Sequence, residues 1–276
     1  MGPNGAGKTT LMKVLSGMFG SAYTGNAFVG GFDTRVDQGE IQKLVGICPQ
    51  EDCLWKTLTA MQHLLFYARL KGVPKEQQHA EAHSALADVG LLFAADRLAG
   101  RFSGGMRRRL SVAIAMVGGS KVLLLDEPST GLDPDSRRQL WDVINRAKVG
   151  RTILITTHAI EEAEALCEQI GVVADGTLRC WGSPLQLKRR HGNAHLLSVV
   201  YHKGRKAQAG AFLRALYPNT AVEELDSSSQ LTIRLVQSQA KVSQVFRQFE
   251  GADQAVVAAW GLVQPSLEDA ILERLE

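Results

Sequence analysis

The stretch GPNGAGKT at residues 2–9 fits the pattern G-x-x-x-x-G-K-[ST] at every fixed position. A helical pattern follows it at once over residues 10–18, with Leu11, Val14 and Leu15 on one face. Glycines let the backbone N–H groups of such a loop turn inward around phosphates, and the following helix directs the positive end of its dipole at them. The sequence therefore predicts a phosphate-binding loop, against the alternative of a Gly-rich turn with a chance lysine.

Individual side chains of this loop suit a nucleotide that carries Mg²⁺. Lys8 offers a point charge to the phosphates, and the hydroxyl of Thr9 can bind the metal. The residues that we expect to surround the nucleotide here are Gly2, Asn4, Gly5, Ala6, Gly7, Lys8, Thr9 and Thr10.

A fully apolar run at residues 122–125 ends in two acids, Asp126 and Glu127. Such a run is typical of a central parallel strand. A carboxylate at the C-terminal tip of that strand lies where a nucleotide-bound Mg²⁺ must be held, and we assign this role to Asp126. Glu127 would then face the γ-phosphate and polarise the attacking water as a general base. The alternative is a pair of solvated acids at a strand end.

Short apolar strands alternate with amphipathic helices over most of the chain, with an α-rich insert at about residues 55–118. Strands are predicted at 28–29, 44–48, 122–125, 153–156, 170–174 and 177–181, and helices at 60–70, 75–89, 105–117, 135–147 and 160–167. This alternation predicts an α/β fold with a parallel sheet.

The pattern changes around Gly192. Candidate elements then follow in the order strand, helix, strand, strand, helix, strand, at 196–201, 207–216, 221–225, 231–236, 242–249 and 255–260, with a last helix at 266–275. The order β-α-β-β-α-β is that of the ferredoxin-like, or split βαβ, arrangement. We therefore expect a first domain at residues 1–192 and a small α+β domain at residues 193–276.

Composition excludes several classes of protein. Hydrophobic residues make up 45% and charged residues 21% of the 276, which argues against disorder. The net charge of +3 is too small to imply a nucleic-acid partner, and the basic clusters at 107–109 and 188–191 are expected to be solvated helix faces. The four cysteines have no paired metal-binding spacing and predict free thiols. No apolar run approaches the roughly 20 residues that span a bilayer, so no transmembrane segment is expected in this chain.

Six motifs occur along residues 1–190. In chain order they are the loop at 2–9, Gln50 in CPQE, Ser103, Gly104 and Gly105 in FSGGM, the acid pair, Asp133 in STGLD, and His158 in TTH. Alone, a Ser-Gly-Gly helix start is usually only a cap, and a lone His at a strand end is usually structural. In this order and at these spacings the motifs resemble Walker A, the Q-loop, the signature, Walker B, the D-loop and the H-loop of the nucleotide-binding domain of ABC transporters.

The resemblance implies a P-loop NTPase fold that binds and hydrolyses ATP with Mg²⁺. Two such domains pack head to tail, so Ser103, Gly104 and Gly105 would act in trans on the nucleotide of a partner, near Asp133. His158 would contact the γ-phosphate in cis. Gln50 would lie at the Mg²⁺ and the water, and would also contact the membrane domain.

The implied partners are a second nucleotide-binding domain, in the same or another chain, and the transmembrane domains of the transporter. The expected location is the cytoplasmic face of a membrane.

Longer segments narrow the resemblance to subfamily A. They lie at residues 63–72, 103–111, 157–167 and 175–180. That subfamily consists of large eukaryotic proteins with two membrane halves on one chain, and many of them move lipids. A ferredoxin-like domain follows the nucleotide-binding domain there, and PSLED at 265–269 is similar to its closing segment. The resemblance thus implies lipid transport and a regulatory role for residues 193–276.

Two features depart from the family pattern. Phe102 and Met106 replace the ends of the usual Leu-Ser-Gly-Gly-Gln signature, although Met is usual there in subfamily A. The strand that leads into Walker A and an upstream strand with an adenine-stacking aromatic residue are missing from this sequence. We expect the sequence to be a fragment of a longer protein. Because a parallel sheet without that strand exposes an unpaired edge, we expect the isolated chain to bind ATP weakly and to aggregate.

Three classes of function are compatible with the phosphate loop. A transport ATPase domain explains all six motifs. A soluble ABC protein acting in translation would share them, but the subfamily A segments argue against it. A P-loop kinase or GTPase would need neither the signature nor His158.

Overall fold

The computed structural model describes residues 1–20, 22–191, 194–218, 220, 222–224, 229–236, 242–250, 255–263 and 267. The chain divides into two compact units, Met1–Arg179 and Cys180–Glu276. The domain boundary predicted at residues 192 and 193 lies outside the described residues. No helix in the described part is both long and apolar enough to cross a bilayer.

The first unit contains short strands and seven helices among its described residues. Strands β1 to β7 are Phe28–Val29, Phe32–Asp33, Val45–Cys48, Val122–Asp126, Thr152–Thr156, Ile170–Ala174 and Thr177–Gly182, the last of which crosses the division between the units. Helices α1 to α7 are Lys8–Leu15, Gln38–Leu44, Ala60–Leu70, Lys75–Asp88, Gly104–Met116, Pro134–Ala147 and Ile160–Leu166. Two turns of 3₁₀ helix, Leu92–Ala94 and Ala99–Arg101, separate α4 from α5.

The central sheet is parallel, with the strand order β3-β4-β5. On β4, Leu123 and Leu125 pack into a core with the helical insert, while Leu124 packs on the opposite side with Met12 and Ile41. Burial on both faces explains why this strand is an unbroken apolar run. Register brings the carboxyl ends of the strands to one edge, because Asp126 pairs with Thr156.

The first residues of the chain lie between β5 and β6. The Val173 amide donates to the Met1 carbonyl (2.8 Å), and the Gly2 amide donates to the Thr157 carbonyl (3.3 Å). This places the loop at residues 2–9 at the same edge of the sheet as the ends of β4 and β5.

The predicted helical insert is confirmed as α3, α4 and α5. Helix α3 begins at a capping box, in which the Thr59 hydroxyl accepts from the Gln62 amide and the Gln62 side chain accepts from the Thr59 amide. Helix α5 approaches the sheet closely at Gly46, where a Cβ would lie 1.7 Å from the Ala115 carbonyl oxygen. Helix α5, which begins at the signature residues Ser103 to Gly105, is therefore packed directly against β3.

The second unit is a four-stranded antiparallel sheet with helices. After α8 (Pro184–His191), its elements are β8 (Ala194–Tyr201), α9 (Lys206–Leu216), β9 (Val222–Glu224), β10 (Gln230–Val236), α10 (Val242–Glu250) and β11 (Val257–Val263). The strand order is β11-β8-β10-β9, so β10 lies between β8 and β9 as in a split βαβ arrangement. The ferredoxin-like order predicted from the sequence is confirmed. The predicted last helix lies outside the described residues, except for residue 267.

Candidate functional site

The phosphate loop leads directly into α1. Gly5 and Gly7 have φ values of 81° and 97°, a left-handed backbone that favours glycine, and Gly7 is the N-cap of the helix. The Lys8 side chain folds back under the loop, and its Nζ donates to the carbonyls of Gly2 (2.8 Å) and Pro3 (3.0 Å). Asn4, Gly5, Thr9 and Thr10 are exposed, whereas Lys8 is buried. The loop thus has one exposed face, and the buried Lys8 ammonium lies behind it.

The predicted metal ligands Thr9 and Asp126 are in direct contact. The Thr9 hydroxyl donates to Asp126 Oδ2 (2.9 Å), and the Thr156 hydroxyl donates to Asp126 Oδ1. A hydroxyl and a carboxylate are the oxygen ligands that Mg²⁺ takes beside substrate phosphates. The donor set therefore fits Mg²⁺ held jointly by protein and nucleotide.

Four side chains converge on the carboxylate of Glu127. Lys8 Nζ lies 3.3 Å from Oε1. The other three donors approach Oε2, and they are His158 Nδ1 (3.2 Å), the Thr130 hydroxyl (3.2 Å) and Gln50 Nε2 (3.4 Å). The structure thus brings the predicted residues Gln50, Glu127 and His158 together.

Hydrogen bonding holds Glu127 in its ionised form. Burial acts to raise the pKa of Glu127, but hydrogen bonds from His158 and Lys8 outweigh burial, so the pKa lies below its ordinary value. Glu127 also has a left-handed backbone, with φ of 44°, that costs about 1–3 kcal/mol in a non-glycine residue. Its amide donates to both the carbonyl and the hydroxyl of Thr156, which secures this conformation.

The predicted signature residues form a second group. Ser103 caps α5 by accepting from the Met106 amide (3.2 Å), and Asp133 caps α6 by accepting from the Ser136 amide (2.9 Å). Hydrogen bonds from Ser136 hold the pKa of Asp133 below its ordinary value. A Cβ on Gly105 would lie 2.5 Å from Ser136 Oγ, so the two helix starts are adjacent. Ser103, Gly104 and Asp133 are exposed.

One of the two basic clusters does not form the solvated helix face that was predicted for it. Within residues 107–109, Arg108 is only 4% exposed. Its Nε donates to the Pro128 carbonyl (2.7 Å) and its Nη2 donates to the Asp126 carbonyl (2.7 Å). Thr156 and Thr130 were also missed. No sequence pattern marks the burial of Arg108, which follows from α5 being buried at Leu110 to Ala113 as well.

The chain is similar to known proteins in sequence. Residues 1–130 match the family model described as ABC transporter. ABC transporter A family members 5 and 7 of Arabidopsis thaliana are 41% and 40% identical to this chain over 99% of its length. The chain spans 29% of the length of each of these relatives.

Two solved structures have a similar fold. One is described as a dimeric post-hydrolysis state of the ATP-binding cassette MJ0796 bound to ADP and Pi, with a TM-score of 0.58 and 23% identity. The other is described as the dimeric structure of MJ0796, a bacterial ABC transporter cassette, with a TM-score of 0.59 and 23% identity. Each match covers 66% of this chain and 83% of the other chain.

The fold and the site together define a P-loop NTPase of the ABC ATPase class. Residues 1–130 match the ABC transporter family model, and along 99% of its length the chain is similar to ABC transporter A family members. The resemblance stated from the motifs is therefore confirmed.

Proposed function

We propose that this chain is the ATP-hydrolysing domain of a subfamily A ABC transporter, which couples ATP hydrolysis to the transport of lipids across a membrane. The observation that carries the proposal is the convergence of Lys8, Gln50 and His158 on Glu127, beside the contact between Thr9 and Asp126. A kinase or GTPase would need neither His158 nor the signature helix.

Hydrolysis begins with positioning. The exposed loop at residues 2–10 receives the phosphates, and Lys8 supplies the positive charge beneath them. Thr9 and Asp126 would hold Mg²⁺, with Gln50 near it, and the metal would neutralise charge on the phosphate oxygens. Glu127 is ionised, so it accepts a proton from the attacking water. His158 and Gln50 hold the carboxylate in place, and His158 contacts the γ-phosphate.

The exposed starts of α5 and α6 serve a second domain. Ser103 and Gly104 are exposed at the positive end of the α5 dipole, with the buried Gly105 behind them and Asp133 at the adjacent start of α6. In a head-to-tail pair these residues meet the nucleotide of the partner. The other partners are the transmembrane domains of the transporter, at the cytoplasmic face of the membrane, and residues 193–276 are regulatory.

The test is Glu127→Gln in the full-length protein. We expect ATP turnover to fall by about 10²–10⁴-fold while ATP binding is retained, because the amide keeps the shape of the side chain and loses its basicity. Glu76→Gln, an exposed glutamate on α4, is the matched control. Turnover by Glu127→Gln at the parent rate would show that Glu127 is not the base.

Lipid as the cargo is tested separately, in vesicles that contain the full-length protein and fluorescent phospholipid. ATP-dependent movement of the lipid between leaflets, absent in Glu127→Gln, supports the proposal. ATP hydrolysis without lipid movement, in vesicles of several headgroup compositions, would leave the ATPase assignment intact and remove the lipid cargo.

A further inference from the structure

Arg108 has a buried guanidinium that contacts two separate segments of the site. From α5 it donates to the Asp126 and Pro128 carbonyls, each at 2.7 Å. Its Nη1 donates to the carbonyls of Pro49 (2.5 Å) and Gln50 (3.2 Å). These acceptors lie 18 to 59 residues away along the chain, so the contacts are wholly tertiary.

The four carbonyls flank Gln50 and Glu127, whose side chains meet with Gln50 Nε2 3.4 Å from Glu127 Oε2. Those of Asp126 and Pro128 belong to the residues on either side of Glu127, and those of Pro49 and Gln50 belong to the peptide groups on either side of the Gln50 Cα. Arg108 therefore fixes the backbone from which both side chains project. Their separation, Gln50 Nε2 to Glu127 Oε2, depends on this frame.

The charge of Arg108 is balanced locally. Asp52 Oδ1 lies 3.6 Å from Arg108 Nη1 and also accepts a hydrogen bond from the Ser111 hydroxyl (3.1 Å). A buried cation is tolerated only when it is paired and hydrogen-bonded, and here one carboxylate and four carbonyls satisfy it. The planar fork of a guanidinium can reach two segments at once, whereas the three donors of a lysine ammonium radiate from one atom.

We propose that Arg108 is a positioning residue for ATP hydrolysis, which holds Gln50 and Glu127 in register by bonding the backbone on both sides of each. The inference rests on the proposed function in that it assigns Gln50 and Glu127 to hydrolysis. Arg108 touches neither the nucleotide loop nor the carboxylate of Glu127, so its loss changes turnover more than it changes ATP binding.

The kinetic test uses Arg108→Lys and Arg108→Ala in the full-length protein. We expect kcat to fall at least about tenfold in both, with the KM for ATP within about threefold of the parent value. Millimolar guanidinium ion should restore part of the turnover of Arg108→Ala, because the shorter side chain leaves space for the ion. It should not restore the turnover of Arg108→Lys, where the lysine fills that space. Arg146→Ala is the matched control, because Arg146 on α6 makes one exposed hydrogen bond, to the Asp88 carbonyl. An unchanged kcat, or a change confined to KM, overturns the proposal.

Hydrogen–deuterium exchange tests the frame without relying on catalysis. In Arg108→Lys, amides at residues 50–55 and 127–130 exchange faster than in the parent, while those of α3 and α4 are unchanged. If both segments exchange at the parent rate in Arg108→Lys, or if exchange is faster throughout the first unit, the positioning role is refuted. A parent protein that does not hydrolyse ATP, or a Glu127→Gln variant with full turnover, refutes the proposed function instead, and the exchange result still decides the role of Arg108.

Discussion

Thr156→Val removes one hydroxyl that contacts both acids at the end of β4. The Thr156 hydroxyl donates to Asp126 Oδ1 and accepts from the Glu127 amide (3.0 Å), and Thr156 is buried. Valine has nearly the same shape, so the change isolates these two hydrogen bonds. The Glu127 amide keeps its second bond, to the Thr156 carbonyl (3.0 Å), and Asp126 keeps its bond from Thr9 on Oδ2.

The magnitude follows from the charge of the acceptor. A hydrogen bond to a charged group contributes about 1.5–3 kcal/mol, and the bond that remains to the Glu127 amide limits the loss on that side. We therefore expect the first unit to lose about 2 kcal/mol of its free energy of unfolding. Because the hydroxyl orients a proposed metal ligand, we also expect the Mg²⁺ affinity to fall by about 10–100-fold.

Two measurements on the full-length protein test this prediction. Pulse proteolysis in urea gives the unfolding free energy of the first unit, and the Mg²⁺ concentration for half-maximal ATP hydrolysis gives the metal dependence. Thr156→Ser keeps the hydroxyl and serves as the control, so it should restore the Mg²⁺ dependence. An unchanged Mg²⁺ dependence in Thr156→Val, or equal defects in both variants, would refute the assigned orientation of Asp126.

Two further predictions concern stability. Gly46→Ala should destabilise the first unit by at least about 1–3 kcal/mol, because the new Cβ overlaps the Ala115 carbonyl. The control is Gly39→Ala on α2, whose new Cβ meets no atom within 4 Å and which should be neutral or stabilising. Equal unfolding midpoints for the two variants would contradict this packing. His63 is buried with Nδ1 bonded to the Thr59 carbonyl (2.7 Å) and Nε2 accepting from the Trp55 amide (3.0 Å), and burial lowers its pKa despite the Thr59 bond. Its neutral form therefore contributes stability that is complete above the unfolded pKa of about 6.5 and is lost as the pH falls. Between pH 7.5 and 5.5 the urea midpoint should fall more in the parent than in His63→Gln, whose side chain does not titrate. Parallel pH dependences in the two proteins would contradict the role assigned to His63.

Elements with local signals could be predicted closely from the sequence. Helix α3 has the predicted bounds, because the Thr59 capping box starts it and its apolar positions repeat at helical spacing. Strand β6 also has the predicted bounds. Helix α2 was not predicted, because it is seven residues long and buries only Ile41, which leaves too little periodicity to detect. The pair of β1 with β2 rests on two residues in each strand, and β2 was missed for the same reason.

The candidate site divides in the same way, according to whether a residue acts through its place on a strand or through a distant contact. Gln50, Asp126 and His158 follow or end neighbouring parallel strands, so sheet topology alone predicts that they meet at one edge. Arg108 bonds carbonyls that carry no side-chain identity, and Thr156 resembles any β-branched strand residue, so no sequence pattern marks either contact. The ionisation of Glu127 is also a product of geometry, because burial and the hydrogen bonds from His158 and Lys8 shift its pKa in opposite directions. Only the distances to Lys8 and His158 decide which effect is larger, and they favour the carboxylate that a base requires.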